Sequence, residues 1–444
     1  MRSDTLELLR CPYCGGRLSL VESLPFWRAG DDTLDGILGC HCCIFPVVDG
    51  IPILHLQPNA TLARDQVKDG RPDLARRTMF GLANLPNGDQ PSADHTGAHA
   101  GDESTAGAEA RAAERFEELA TSETATYQEI VDALGPFFEG GYFLYRFSDP
   151  TYLVAHAVVQ AVASKALGGS RRAIDICGGS GHLTRELVAW SSEPPVLADL
   201  YYPKVWLARR FTAPGCEPVC CDGNAPLPFA RGGFSLAMCT DAFMFIWTKR
   251  QFVGEMVRLI DRSTTAADDH GAVLIGHTHN ERAWSPSFGQ PLSPEGYVDL
   301  FETIEPRMFG EASLFADVVG GHSLDLSRQE PRERLNADPA LTIIATKRAD
   351  IFSHHRLSEA TIATGEFRLN PLYTAEPVDG RVRLTLRFPS EDYEQEYRAC
   401  REYLPDELTI DPAVLKGLPA ASVSGDLVEL VRRRIILDLP RRYY

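Results

Sequence analysis

From residue 172 to 348 short apolar runs alternate with longer stretches in which apolar positions recur every three or four residues. "RRAIDIC", "PPVLADL", "CEPVCC", "FSLAMCT" and "GAVLIGH" are too short for buried helices and suit strands covered on both faces. "QFVGEMVRLI", with Phe252, Val253, Met256, Leu259 and Ile260 on one side, has the helical period. Strands alternating with helices predict βαβ units on a parallel sheet, an α/β fold.

The flanking segments read differently. Residues 114–168 have helical spacing through Phe116, Leu119, Ile130 and Leu134 and then "TYLVAHAVVQAVASKAL", which predicts a helical cap. Residues 61–113 are polar and small, with almost nothing to bury in "NLPNGDQPSADHTGAHAGDESTAGAEARAA", and are expected to form a flexible linker. Residues 349–444 predict a C-terminal α+β segment of unassigned role. Two strands flank an Asp379-Gly380 turn, and Ser390 N-caps the helix "SEDYEQEYRACREYL". With residues 1–60 as a separate cysteine-bearing module and 169–348 as the α/β core, five segments account for the 444 residues.

Charge narrows the function. The net charge of -17 argues against a general binder of phosphate backbones, which gains affinity from Lys and Arg. No run approaches the roughly 20 apolar residues of a membrane span. The N-terminal "MRSDTLELLR" lacks a signal-peptide apolar region, so a cytoplasmic location is expected. Eleven cysteines, an odd number, point to reduced thiols rather than a disulfide framework.

Five of those cysteines are clustered. Cys11-Pro-Tyr-Cys14-Gly-Gly is followed by Cys40-His41-Cys42-Cys43. Two C-x2-C pairs meet the need of a tetrahedral zinc site for four thiolates at about 2.3 Å. Cys11, Cys14, Cys40 and Cys43 are the best-spaced ligands, with Cys42 or His41 as alternatives. An iron centre or a redox pair is the competing reading. "LLRCPYCGGRLSL" together with "GILGCHCCIFPVVDGIPILHL" resembles the Trm112-type zinc ribbon, whose second knuckle leads into a phrase of the type YPI-x-DGIP-x-L. Here Phe45 stands where Tyr is usual. The resemblance covers about 57 residues and implies a folding and docking module for a methyltransferase.

"RRAIDICGGSGHLTREL" ends a strand in Asp175 and turns through Gly178, Gly179 and Gly181 into a helix. Such a loop suits close approach of backbone to a ligand, and by itself would also fit a nicotinamide site. The next two strands end in Asp199 and Asp222. An acid at the end of three successive strands, with "LPF" after the third, resembles class I S-adenosylmethionine-dependent methyltransferases of the UbiE-like group (methyltransferase type 11). The resemblance covers about 172–348 and implies a Rossmann-like sheet with a final antiparallel strand, "LTIIATKR". It also implies that Asp175 lies near the methionine moiety, that Asp199 binds ribose and that Asp222 binds the adenine amine. Cys177 replaces the usual first glycine.

The acceptor side should lie at the ends of the fourth and fifth strands, where "CTDAFMFIW" and "GHTHN" place Thr240, Asp241, Phe243, His277, His279 and Asn280. Thr240 is assigned to the cofactor, and Asp241, His277 and His279 to catalysis. A histidine there can take a proton from an acceptor near neutral pH. His182 on the glycine loop is expected to contact cofactor or backbone. Tyr142, Tyr145, Arg146 and Tyr152 of the cap are candidates for an acceptor pocket. The expected activity is methyl transfer to a small-molecule or natural-product acceptor, with S-adenosylmethionine as cofactor and structural Zn2+. Nucleic acid and membrane are not expected as partners, and a homodimer is left open. The alternatives are an rRNA or tRNA methyltransferase and a non-catalytic cofactor-binding partner protein.

Overall fold

The structure is a computed structural model that describes residues 1–82, 103–135, 140–168, 172–262, 270–284, 289–321, 323–357, 364–416, 418 and 425–444. Its centre is a sheet of seven strands: β1 (Ala173–Ile176), β2 (Val196–Asp199), β3 (Glu217–Cys220), β4 (Leu236–Thr240), β5 (Ala272–His279), β6 (Pro306–Gly310) and β7 (Ala340–Thr346). The order is β6-β7-β5-β4-β1-β2-β3. β1 to β5 are parallel, and β7 inserts antiparallel between β5 and β6. Both faces are covered, which is why the strands read as unbroken apolar runs. Alternation within a strand still decides the face. Leu236 and Met238 join the apolar body around the helix Pro150–Ala166, whereas Ala237 and Cys239 join the one around Lys249–Ile260.

The chain steps outward from β1 to β3 and then returns to β4 on the other side of β1. That reversal opens a crevice beyond the carboxyl ends of β1 and β4, where ligands of open α/β sheets bind.

Residues 1–57 form a small antiparallel sheet in which Asp32–Gly39 pairs with Ile44–Val48 and with the edge strands Ser19–Leu20 and Trp27–Ala29. Asp49 (φ 48°) and Gly50 (φ 71°) make the left-handed turn into Ile51–Pro52. The segment that follows pairs with β3: Ile53 bridges Cys220 in parallel, and Leu54 N–H donates to the Cys220 carbonyl at 2.7 Å. The module thereby covers an edge strand that would otherwise offer unpaired backbone groups. Asp49 also accepts from Trp206 Nε1 at 3.1 Å.

The linker expected over 61–113 is corrected at both ends. Pro58–Lys68 and Pro72–Met79 are helices, and Ala63, Val67, Ala75 and Met79 pack into the same apolar body as Phe116. A further helix begins at Glu103. The polar centre of that expectation, 83–102, lies outside the described residues.

The cap helices are Glu103–Thr121, Tyr127–Leu134, Gly140–Tyr145 and Pro150–Ala166. The C-terminal segment carries the hairpin Tyr373–Val378/Arg381–Leu386 about Asp379-Gly380. Ser390 Oγ accepts from Tyr393 N–H at 3.1 Å, but the helix it caps ends at Glu396 and continues as a 3-10 turn, Arg398–Glu402. The chain then returns to the cap, where the buried Tyr443 stacks on Tyr127 at 4.7 Å and donates to the Phe143 carbonyl at 2.6 Å. Among the described residues no helix is long and apolar enough to cross a membrane.

Candidate functional site

The glycine loop joins β1 to the helix Thr184–Trp190. Asp175 is fully buried, and its Oδ2 accepts from Thr184 Oγ1 at 2.6 Å. Its Oδ1 has no hydrogen-bond partner in the protein. Burial pushes its carboxyl up to about 7, opposed by the Thr184 bond and reinforced by Asp199. Cys177, where the resemblance has glycine, adopts the left-handed conformation a glycine takes easily (φ 60°). At Gly178 a Cβ would fall 2.4 Å from Leu197 and 2.5 Å from the Asp175 carboxylate, so only glycine fits. Asp199 Oδ2 accepts from Gly179 N–H at 3.0 Å and Oδ1 from Tyr201 N–H at 2.9 Å. Two amides thus fix that carboxylate at the crevice and leave further lone pairs on both oxygens. Asp222, half-buried at the end of β3, accepts from Asn224 N–H at 2.8 Å. Gly181 completes the loop in a left-handed conformation (φ 76°). Thr240 is buried beside Gly276 of β5.

His182 makes a backbone contact with Phe143. It is buried among Phe143, Phe147 and Tyr127, with Nε2 2.8 Å from the Tyr443 hydroxyl, and burial lowers its pKa to about 3.

At the ends of β4 and β5 the structure assembles a chain of charges. Asp241 and His277 are left-handed (φ 55° and 46°), and His277 lies on a β-bulge where β5 gains one residue on β7 between Ile275 and Thr278. Bulges bend the strand and re-aim side chains, and they recur beside active sites. His277 Nδ1 lies 2.6 Å from Glu311 Oε2. Glu311 Oε1 accepts from His277 N–H at 2.8 Å and from Thr342 Oγ1 at 3.0 Å. His277 Nε2 lies 4.0 Å from Asp241 Oδ1. Asp241 Oδ2 accepts from the Tyr142 hydroxyl at 2.7 Å and pairs with Arg146 at 3.2 Å, and Arg146 in turn holds Asp149 at 2.9 Å.

This wiring separates the two histidines. Burial disfavours the His277 imidazolium, but the charge and hydrogen bond of Glu311, with Asp241, outweigh it and raise the pKa to about 9. His279 is lowered to about 4 by burial and by the charge of His277, and its Nδ1 is buried without a hydrogen-bond partner. The Glu311 pairing thus favours the protonated form of His277 at neutral pH. Asp241 is held below the usual carboxylate range: burial acts against this, and His277, Arg146 and Tyr142 prevail.

Of the cap candidates, Tyr142 and Arg146 reach the site. Tyr145 packs edge-on against Tyr393, and Tyr152 stacks on His156 and meets Phe147. Asn280 is buried and donates to the Leu335 and Asp338 carbonyls, a structural role. Phe243 is buried against Phe252 and Tyr297. Glu311 escaped the sequence reading, because as a first-turn acid of the helix Glu311–Gly321 it looks like an ordinary helix-dipole residue. The lone Gly276 inside β5 was the available sign of the bulge.

In the N-terminal module the thiols of Cys11, Cys14, Cys40 and Cys42 lie within 4.8 Å of one another. The expected set had Cys43 in place of Cys42. Cys43, at the start of the strand Ile44–Val48, packs against the apolar body as Cys40 does, and its sulfur lies 3.4 Å from that of Cys42 on the exposed knuckle. Sulfur separations are 3.6 Å for Cys11–Cys42, 3.6 Å for Cys40–Cys42 and 3.7 Å for Cys14–Cys40. Four sulfurs at about 2.3 Å from one ion stand about 3.8 Å apart, so this set fits a tetrahedral metal. The Cys40 sulfur also accepts from the amides of Cys42 and Cys43 at 3.5 and 3.4 Å, which favours a thiolate.

Neither a family model nor a curated protein matches this chain. Solved structures similar to it include several described as methyltransferases. One from Bacillus halodurans shares 14% identity, with 45% of this chain and 99% of that one covered and a TM-score of 0.29. A complex of the Haloferax volcanii Trm112 methyltransferase activator with a methyltransferase shares 16% identity over 44% of this chain and 89% of that one, at a TM-score of 0.32. A geranyl diphosphate methyltransferase solved with S-adenosylmethionine shares 14% identity over 44% and 85%, at 0.33. Likeness this distant carries no weight for function.

Proposed function

We propose that the protein binds S-adenosylmethionine in the crevice between β1 and β4 and transfers its methyl group to a small-molecule acceptor. The observation that carries this reading is Asp199, fixed by the Gly179 and Tyr201 amides at the end of β2 with lone pairs to spare. A carboxylate so placed suits the two ribose hydroxyls of a nucleoside. Asp175, whose buried Oδ1 has no partner, and Asp222 at the end of β3 would complete the cradle with Gly178, Gly179, Gly181 and Thr240. When bound, the cofactor supplies an electrophilic methyl group on a sulfonium.

This chain's own residues would position the acceptor. Asp241 is a quarter exposed (26%), and its Oδ1 lies 4.0 Å from His277 Nε2, beyond hydrogen-bond reach, so it can accept a hydrogen bond from an acceptor N–H or O–H. Tyr142 and Arg146 hold it in place. His279 is the member of the histidine pair that is neutral near pH 7, and burial beside the His277 charge leaves it a weak base. The Cys11, Cys14, Cys40 and Cys42 thiolates would hold a structural metal, zinc by their chemistry.

Calorimetric titration with S-adenosylmethionine tests the reading. Wild type should bind saturably, and Asp199→Ala should weaken binding by roughly 2 kcal/mol, about 30-fold, through loss of charge-assisted hydrogen bonds. No binding by a folded wild type would sink the proposal.

A further inference from the structure

A cleft of about 380 Å³ opens where three parts of the chain meet, and no residue of the site above lines it. Leu153 comes from the helix Pro150–Ala166, Val318 and Val319 from the helix Glu311–Gly321, and the rest from 401–405 and 429–434. Its cations are all arginines, at 401, 432, 433 and 434, against Glu402 and Glu429 in the same walls. In a chain of net charge -17, this concave surface has more cationic than anionic lining residues.

Most of these guanidiniums are already held. Arg401 pairs with Glu394 at 2.6 Å and with Asp406, and Arg432 pairs with Glu429 at 3.1 Å. Arg434, in a left-handed conformation (φ 56°), donates to the Phe147 carbonyl and lies 5.6 Å from the Tyr152 ring centre. Arg433 is exposed, and among the described residues it makes no ion pair. Three anchored guanidiniums and one uncommitted one, in a concavity with an apolar side, describe a site made ready for an anion with an organic body.

We propose that this cleft binds a phosphorylated small molecule, its phosphoryl group held by Arg433 with Arg401 and Arg432 and its body against Leu153 and Val319. Guanidinium forks match phosphate oxygens in pairs and are less strongly hydrated than ammonium groups, which accounts for arginine without lysine. A phosphoryl dianion, unlike a carboxylate of single charge, can compete with the walls' own carboxylates. The volume falls in the range of small-molecule sites, roughly 300–1,000 Å³, and exceeds the needs of a bare ion. The inference is independent of methyl transfer.

The walls also touch the site indirectly. Tyr403 donates to the Ser148 carbonyl at 2.7 Å and Arg434 to that of Phe147, and both acceptors belong to the 3-10 turn Arg146–Ser148 that carries the partner of Asp241.

The test is calorimetric titration of the full chain with phenyl phosphate, inorganic diphosphate and benzoate. Phenyl phosphate and diphosphate should bind saturably, and Arg433→Glu, on an exposed side chain, should weaken both at least tenfold with unchanged circular dichroism. Arg231→Glu, in a separate basic cleft formed with Arg250 and Lys347, should leave them unchanged. Absence of saturable binding, or equal loss in the two variants, overturns the site. Benzoate binding as tightly as phenyl phosphate overturns the phosphoryl assignment.

Discussion

The pairing of Glu311 with His277 makes a prediction that can be worked from the structure. A rise of the His277 pKa from 6.5 to about 9 corresponds to roughly 3 kcal/mol of tighter proton binding in the folded state. Because the folded value lies above the unfolded one, this stabilisation is complete below pH 6.5 and is lost as pH rises through about 9. Glu311→Gln keeps the side-chain volume and removes the anion. Burial, which by itself lowers the His277 pKa, is then opposed by Asp241 alone among the carboxylates acting on it. The value should fall by at least two pH units, to near or below 6.5. Histidine-labelled protein followed by NMR titration reads this directly, and unfolding by urea at pH 6 and pH 9 reads the linked stability. Wild type should lose about 2–3 kcal/mol more than the variant between those pH values. A His277 that titrates near 6.5 in wild type, or stays near 9 in Glu311→Gln, would refute the reasoning.

Other expectations follow from single contacts. Cys42→Ser should release zinc to a chelator far faster than wild type, while Cys43→Ser should retain one equivalent by elemental analysis, since only Cys42 stands in the four-sulfur cluster. Tyr443→Ala removes a buried ring stacked on Tyr127 and hydrogen-bonded to Phe143, and should cost about 3–5 kcal/mol in denaturant unfolding. Leu54→Pro deletes the N–H that binds the Cys220 carbonyl, and should make the linkage after the N-terminal module more sensitive to limited proteolysis. Little change in cleavage there would mean that apolar packing alone holds the module to β3.

Local pattern determined a good deal about this protein. Unbroken apolar runs specify strands buried on both faces, and the residues that end them, Asp175, Asp199, Asp222, Asp241 and His277, stand at one end of a parallel sheet because parallel strands share a direction. The Asp379-Gly380 turn and the Ser390 cap were legible for the same reason: each is a contact within a few residues. Composition misled over 61–79, where short, mostly polar helices have few apolar residues, yet Ala63, Val67, Ala75 and Met79 are buried in the same apolar body as Phe80, Phe116 and Trp206.

What only the tertiary structure decided depends on contacts remote in sequence. Spacing favours Cys43 as a ligand, but folding brings the thiols of Cys11, Cys14, Cys40 and Cys42 within 4.8 Å of one another and leaves Cys43 beside Cys42 at 3.4 Å. Insertion of β7 between β5 and β6 aligns Thr278, Leu341 and Gly310 across three strands, and so sets Glu311 beside His277. That neighbour favours the cation of His277, which adds to burial in lowering the basicity of His279. A histidine's residue type places its pKa near neutrality, and the charges that folding brings around it decide which proton it holds.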